Sequence, residues 1–86
     1  MSRFKFEATP KFSRQLKKLP GDIQGKVKEK LKILQEDPNH PSLRTKRHNS
    51  SGYFESSINM YYRVLWDYED ESIILLIMIG DHSILE

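Results

Sequence analysis

Few side chains in this sequence are equipped for chemistry, and the first stands almost at its end. In "IILLIMIGDHSILE", seven large apolar residues from Ile73 to Ile79 run into Gly80, Asp81 and His82. An imidazole titrates near pH ~6.5, so His82 can give or take a proton near neutrality, as general acid–base catalysis requires. Asp81 beside it offers acid–base support, although neighbours on an extended chain point apart. The plain alternative for His82 is a fraying C-terminus with no role.

Arg63 is the only Lys or Arg after position 47, and its neighbours in "YYRVLWDY" are mostly apolar or aromatic. A guanidinium in that setting needs an anion. Two fit: a phosphate, which matches its fork of donors, or the Glu55 carboxylate on a neighbouring strand. "LRTKRH" adds Arg44, Lys46, Arg47 and His48 within five residues. Read as a strand, it puts Arg44, Lys46 and His48 on one face, where they either track a phosphate backbone or guard a solvated sheet edge. Tyr53, Tyr61, Tyr62 and Trp66 can stack bases, with core packing the stronger reading for Trp66.

Other chemistries drop out. No cysteine is present, which excludes disulfides and thiolate zinc sites. There is no Gly-rich phosphate loop, nucleophile elbow or dinucleotide fingerprint. His40, His48 and His82 lack metal-ligand spacing, so neither metal nor small-molecule cofactor is expected. No stretch approaches the ~18 apolar residues of a membrane span, and the N-terminus has no apolar export core. A cytoplasmic protein without membrane contact is expected.

At 86 residues, 37% hydrophobic and 30% charged, the chain reads as one folded domain over 1–86. Its charge is unevenly spread. Residues 1–47 hold 13 Lys and Arg against 5 Asp and Glu, or +8; residues 48–86 hold 1 against 7, or −6. Such asymmetry points to a basic surface facing a polyanion.

The elements that must position these groups follow from period and punctuation. "RFKFEA" alternates like a strand, and Thr9-Pro10 starts a helix striped by Phe12, Leu16 and Leu19. "LPGD" breaks it, with Asp22 placed to cap a second helix to about Glu36, whose stripe is Ile23, Val27, Leu31 and Leu34. After the "DPNHP" loop the period becomes two. "SLRTKRH" is a weak strand, "YFESSI" a second, "YYRVLWDY" a third with Tyr62, Val64, Trp66 and Tyr68 opposite Tyr61, Arg63 and Leu65. The final strand is apolar on both faces and belongs inside the sheet. The expected fold is α+β, in the order β-α-α-β-β-β, with two antiparallel helices on one face of a small, mainly antiparallel sheet. The other face is left for a site, with Gly80 turning the chain and His82 delivered at a strand end.

Taken together, "ATPKFSRQLKKLP", "HPSLRTKR", "YFESSINMYYRVLW" and "IILLIMIGDHSIL" resemble the RelE/ParE superfamily of type II toxin–antitoxin toxins over essentially the whole chain. The RelE/YafQ-like mRNA interferase branch is most similar, through "YRVLW" and the Gly-x-His-x-x-Leu of "GDHSIL". The resemblance implies a RelE/ParE-like fold and a cognate antitoxin that wraps the toxin. RelE-type members cleave mRNA in the ribosomal A site; ParE-type members poison DNA gyrase without catalysis. It further implies metal-independent cleavage by attack of a ribose 2′-hydroxyl on the adjacent phosphate. The catalytic set is then His82 for the proton, Arg63 for the phosphoryl charge and Lys46 as a further cation. Arg44, Arg47, His48 and Tyr61 hold the RNA. Ribosome and mRNA would be the partners besides the antitoxin. Two positions depart from the pattern: Ser56-Ser57 stand where many relatives carry an extra Arg, and Glu86 near a usual terminal aromatic. A toxin that has kept only antitoxin binding is the remaining alternative.

Overall fold

The computed structural model describes residues 3–81. His82, like Glu86, lies outside the described residues. The elements are β1 (Lys5–Ala8), α1 (Pro10–Lys17), α2 (Gly21–Glu36), a single 3-10 turn (Pro41–Leu43), β2 (Lys46–Arg47), β3 (Phe54–Ser57), β4 (Tyr62–Tyr68) and β5 (Ile73–Asp81). One sheet runs β1-β5-β4-β3-β2, with β1 parallel to β5 and every other pair antiparallel. The apolar β5 thus lies in the interior, as its two-faced hydrophobicity predicts.

Helices and sheet share one core. Phe12, Val27 and Leu34 pack with Val64, Trp66, Ile74, Leu76 and Ile79, all buried. Because side chains alternate along β4, burial of Val64 and Trp66 under the helices sends Arg63 and Leu65 to the opposite face. That face is less open than its pattern predicts, for Glu55 and Leu65 at its centre are only 8% and 2% exposed.

Thr9 ties the first helix to the sheet. Its hydroxyl accepts from the Phe12 N–H at 3.0 Å and donates to the Ile77 carbonyl at 2.7 Å. That carbonyl is available because pairing jumps from Leu65↔Met78 to Trp66↔Leu76, leaving Ile77 as an extra residue in β5. β1 has ended by then, and Gln15 of α1 takes over as edge partner, its Oε1 accepting from the Ile79 N–H at 2.9 Å. We expect Gln15→Ala to lower stability by about 1–3 kcal/mol in urea unfolding, since the buried Ile79 amide would lose its acceptor.

Two local expectations fail. Asp22 does not cap α2: the helix starts at Gly21 after Pro20, without a side-chain cap, and Asp22 stands in its first turn. There its charge can still favour the positive end of the helix dipole. β5 also does not turn at Gly80 but stays paired through Asp81, with Gly80 opposite Arg63.

The acidic β4–β5 turn lies at the far end of β4 from Arg63. Ser72 donates from its amide at 2.7 Å and its hydroxyl at 3.1 Å to the Asp70 carboxylate, holding that carboxyl below its ordinary pKa. A hydrogen bond with the Glu7 side chain pushes Glu69 up. The signs oppose: Asp70 adds stability that is lost on acidification, whereas Glu69 adds stability that is lost as pH rises.

Candidate functional site

The ionisable residues singled out in the sequence separate into different places. Arg63 emerges from the middle of the sheet on the face away from the helices, opposite Ser57 on β3 and Gly80 on β5. Its Nη1 donates to the Asn59 and Tyr62 carbonyls at 2.5 and 3.0 Å. Among the described residues no acceptor meets Nε or Nη2, the pair of donors that forms a carboxylate- or phosphate-matching fork. Among the described residues the head group is therefore held through one nitrogen and meets no acceptor on the other side.

The expected alternative, an ion pair from Arg63 to Glu55, is not made. Glu55 instead pairs with Lys46, Nζ to Oε2 at 3.5 Å, with the carboxylate side chain 10% exposed and the lysine 72%. Register explains the choice, since Lys46 is the direct cross-strand partner of Glu55, whereas Arg63 is offset from it by two residues. A nearly buried carboxylate on the site face is the group that sequence reasoning undervalued. Its signal was available: a Glu inside the short strand "FESS" has to find a cation.

The basic strand is also broken up. β2 has only two residues, and Arg44 precedes it with a left-handed backbone, φ 48°, capping the 3-10 turn. Arg44, Lys46 and His48 consequently do not form one strand face. Arg47 belongs to the other side of β2, its guanidinium 4.4 Å from the Phe54 ring centroid and its Nη1 donating to the Gly52 carbonyl at 2.8 Å. His48 shapes the β2–β3 hairpin, with Nδ1 2.7 Å from the Ser51 hydroxyl.

What fixes Arg44 is a directed chain of hydrogen bonds. The Thr45 hydroxyl donates to the Pro38 carbonyl at 2.9 Å, so the Ser56 hydroxyl, 2.8 Å away, must donate to Thr45. Ser56 in turn accepts from the indole N–H of Trp66 at 2.8 Å. The core tryptophan thereby anchors the loop that carries Arg44. Ser56→Ala would strand the indole donor in an apolar interior and is expected to lower stability by about 1–3 kcal/mol, read from the urea midpoint.

Arg44 and Arg63 meet at a cavity of about 210 Å³ beneath the β3–β4 turn, which Lys30 of α2, Ser42 and Ser57 also line. Among the described residues no carboxylate lines it. Lys30, like Lys28 and Lys32, lies outside the apolar stripe of α2. It differs from Lys28 and Lys32 in being half-buried, with Nζ donating to the Ser42 carbonyl at 3.3 Å. On the adjoining turn, Met60 is 79% and Tyr61 67% exposed. Trp66 is fully in the core and unavailable for stacking. Asp81, at the end of β5, shares a separate cavity of about 200 Å³ with Gln15, Lys18 and Tyr62.

Two helices laid on a mixed five-strand sheet make up the RelE/YafQ-like fold. The match to solved structures is extensive. YafQ from E. coli strain BL21(DE3) superposes with a TM-score of 0.77, at 16% identity, covering 95% of this chain and 97% of YafQ. The toxin–antitoxin complex RelBE2 from Mycobacterium tuberculosis gives 0.75 at 23% identity, covering 93% and 99%. The archaeal RelE–RelB complex from Pyrococcus horikoshii OT3 gives 0.74 at 15%, covering 92% and 94%. No protein-family model matches the sequence, and no curated protein does. At such identities the likeness establishes the fold. No helix among the described residues is long and apolar enough to cross a membrane.

Proposed function

We propose that this chain is the toxin of a toxin–antitoxin pair, acting as a metal-independent endoribonuclease on ribosome-bound mRNA. The observation that carries the reading is Arg63: a guanidinium held on a central strand through Nη1, with no acceptor at Nε or Nη2 among the described residues, lining a cavity together with Lys30 and Arg44. A fork so placed is suited to a phosphoryl group whose charge grows during reaction. In the proposed step a ribose 2′-oxygen attacks the adjacent phosphorus as its proton leaves, the bond to the 5′-oxygen breaks, and that oxygen takes up a proton.

Within this reading Arg63 stabilises charge on the non-bridging oxygens, and His82, following on Asp81, exchanges the proton. Lys46 supplies a further cation on the same sheet face, where it pairs with the buried Glu55 carboxylate. Tyr61 offers an exposed ring for stacking. Arg44 binds the backbone, while Arg47 and His48 support the hairpin beside it. Ribosomal positioning of the message would supply much of the rate, because orientation alone can remove a large part of a barrier.

The test is translation of a reporter mRNA in a cell-free system with primer extension to map new ends. Breaks inside codons that require both the protein and ribosomes support the nuclease. Intact message with inhibited gyrase supercoiling would favour the ParE-type reading instead. Intact message, unaffected gyrase and tight antitoxin binding would leave antitoxin binding as the remaining activity.

Two further outcomes are expected. The antitoxin complex should weaken as salt rises, because basic groups contribute to the surface it would cover; affinity flat across a salt series would reject that contact. Ser57 faces Arg63 across the strand pair and lines the cavity, whereas Ser56 is buried under the helices. An arginine absent from this strand is therefore best restored as Ser57→Arg, which should raise cleavage several-fold, about the worth of one added charge-assisted contact.

A further inference from the structure

The cavity beneath the β3–β4 turn gathers more positive charge than the strand arginine brings. We propose that Lys30, Arg44 and Arg63, with the hydroxyls of Ser42 and Ser57, form a binding site for one phosphate group of single-stranded RNA. This rests on the ribonuclease reading above and adds to it Lys30, a cation from the helix layer, which it joins with Arg44 and Arg63 around a single phosphate.

Three cations from three separate elements converge there: α2, the cap of the 3-10 turn and β4. Like charges brought together with no carboxylate among the described lining residues repel one another, and an anion removes the penalty. The larger hollow at the β2–β3 hairpin is the instructive contrast. It is lined by Lys46, Arg47 and His48 but also by Glu55, which already pairs with Lys46. Among the described residues, charge is compensated at the hairpin and not beneath the turn.

Size and donor geometry agree. About 210 Å³ is below the ~300 Å³ at which sites for drug-sized ligands begin, and suits a compact group. Lys30 spends one N–H on the Ser42 carbonyl and keeps two, while Arg63 keeps Nε and Nη2. Arg44 is held in a left-handed backbone that only glycine adopts freely, and the Thr45–Ser56–Trp66 chain braces the adjoining residues. A monovalent counter-ion would not use so many directed donors. The exposed Met60 and Tyr61 on the same turn provide an apolar surface where the base of a bound nucleotide can rest.

The experiment is a titration of the whole chain with inorganic phosphate, and then with a short 3′-phosphorylated single-stranded RNA, followed by ¹⁵N NMR at constant ionic strength. Saturable shifts are expected at Lys30, Arg44, Ser57 and the Arg63 side chain. Lys30→Gln and Arg44→Gln should each weaken binding by about tenfold, the worth of one charge-assisted contact. Lys30→Arg should retain most of the affinity, which separates lost charge from damaged folding. Lys28→Gln, an equal charge change on the exposed face of α2, should leave it unaltered. In the cleavage assay Lys30→Gln should raise KM with kcat nearly constant.

Equal weakening by Lys28→Gln, shifts centred on residues 46–50, or an unchanged KM in Lys30→Gln would each overturn the site. If phosphate and RNA saturate it, with Lys30→Gln weakening both by about tenfold, but wild-type protein cuts no message, the site stands and the nuclease reading falls.

Discussion

Arg63→Ala is expected to lower ribosome-dependent cleavage by about a hundredfold to a thousandfold, the range found when one preorganised donor to a developing oxyanion is removed. The loss should fall mainly on kcat, because the fork gains strength as charge builds on the phosphoryl oxygens. Folding should survive. The guanidinium gives up hydrogen bonds to the Asn59 and Tyr62 carbonyls, which are partly buried at a turn, so destabilisation of about 1–2 kcal/mol is expected. Arg63→Lys keeps the charge but loses the fork, and should recover only part of the rate. Measuring cleavage and urea unfolding on the same preparations separates the two roles. Wild-type cleavage that survives Arg63→Ala with unchanged kcat would remove this residue from the chemistry.

The second large effect is on stability. Trp66→Ala should cost about 3–5 kcal/mol, a major part of what a domain of this size has in reserve. Trp66 is 1% exposed, stacks on Phe54 with ring centroids 4.8 Å apart, meets Tyr68 edge-on at 5.2 Å and donates to Ser56. Removing it opens a cavity and leaves the Ser56 hydroxyl without its donor. Because that chain continues through Thr45 to the Pro38 carbonyl, the loop carrying Arg44 should also loosen. Hydrogen exchange should therefore rise at residues 38–45 as well as in the sheet. Tyr61→Ala, on an exposed ring, should leave unfolding within about half a kcal/mol of wild type. A Trp66→Ala protein unfolding at the wild-type midpoint would refute the packing described here.

The period of apolar residues determined much of this fold because burial acts through spacing along the chain. Phe12-Leu16-Leu19 and the stripe from Ile23 to Leu34 specify two one-sided helices, and Thr9-Pro10 specifies where the first begins. The unbroken run from Ile73 to Ile79 requires an interior strand, and alternation in "YYRVLWDY" sends Arg63 away from the core before any partner is known. These are local signals, legible one residue after another.

Pairings between distant residues were not legible in that way. Register gave Glu55 to Lys46 and left the Arg63 fork unpaired among the described residues, and nothing in the spacing of those residues specifies register. A 3-10 turn capped by His40 pulled Arg44 out of the strand expected of "SLRTKRH". Lys30 looked in sequence like any lysine on a solvated helix. It became a cavity residue only because α2 packs against the 3-10 turn, which brings that position to the Ser42 carbonyl. The sequence by itself determined the apolar stripes that form the core between helices and sheet and which strand carries the arginine, since those follow from hydrophobic period. Tertiary structure decided which charges are neutralised and which are left to face a ligand, since a charge is satisfied by whatever the fold brings within a few ångströms of it.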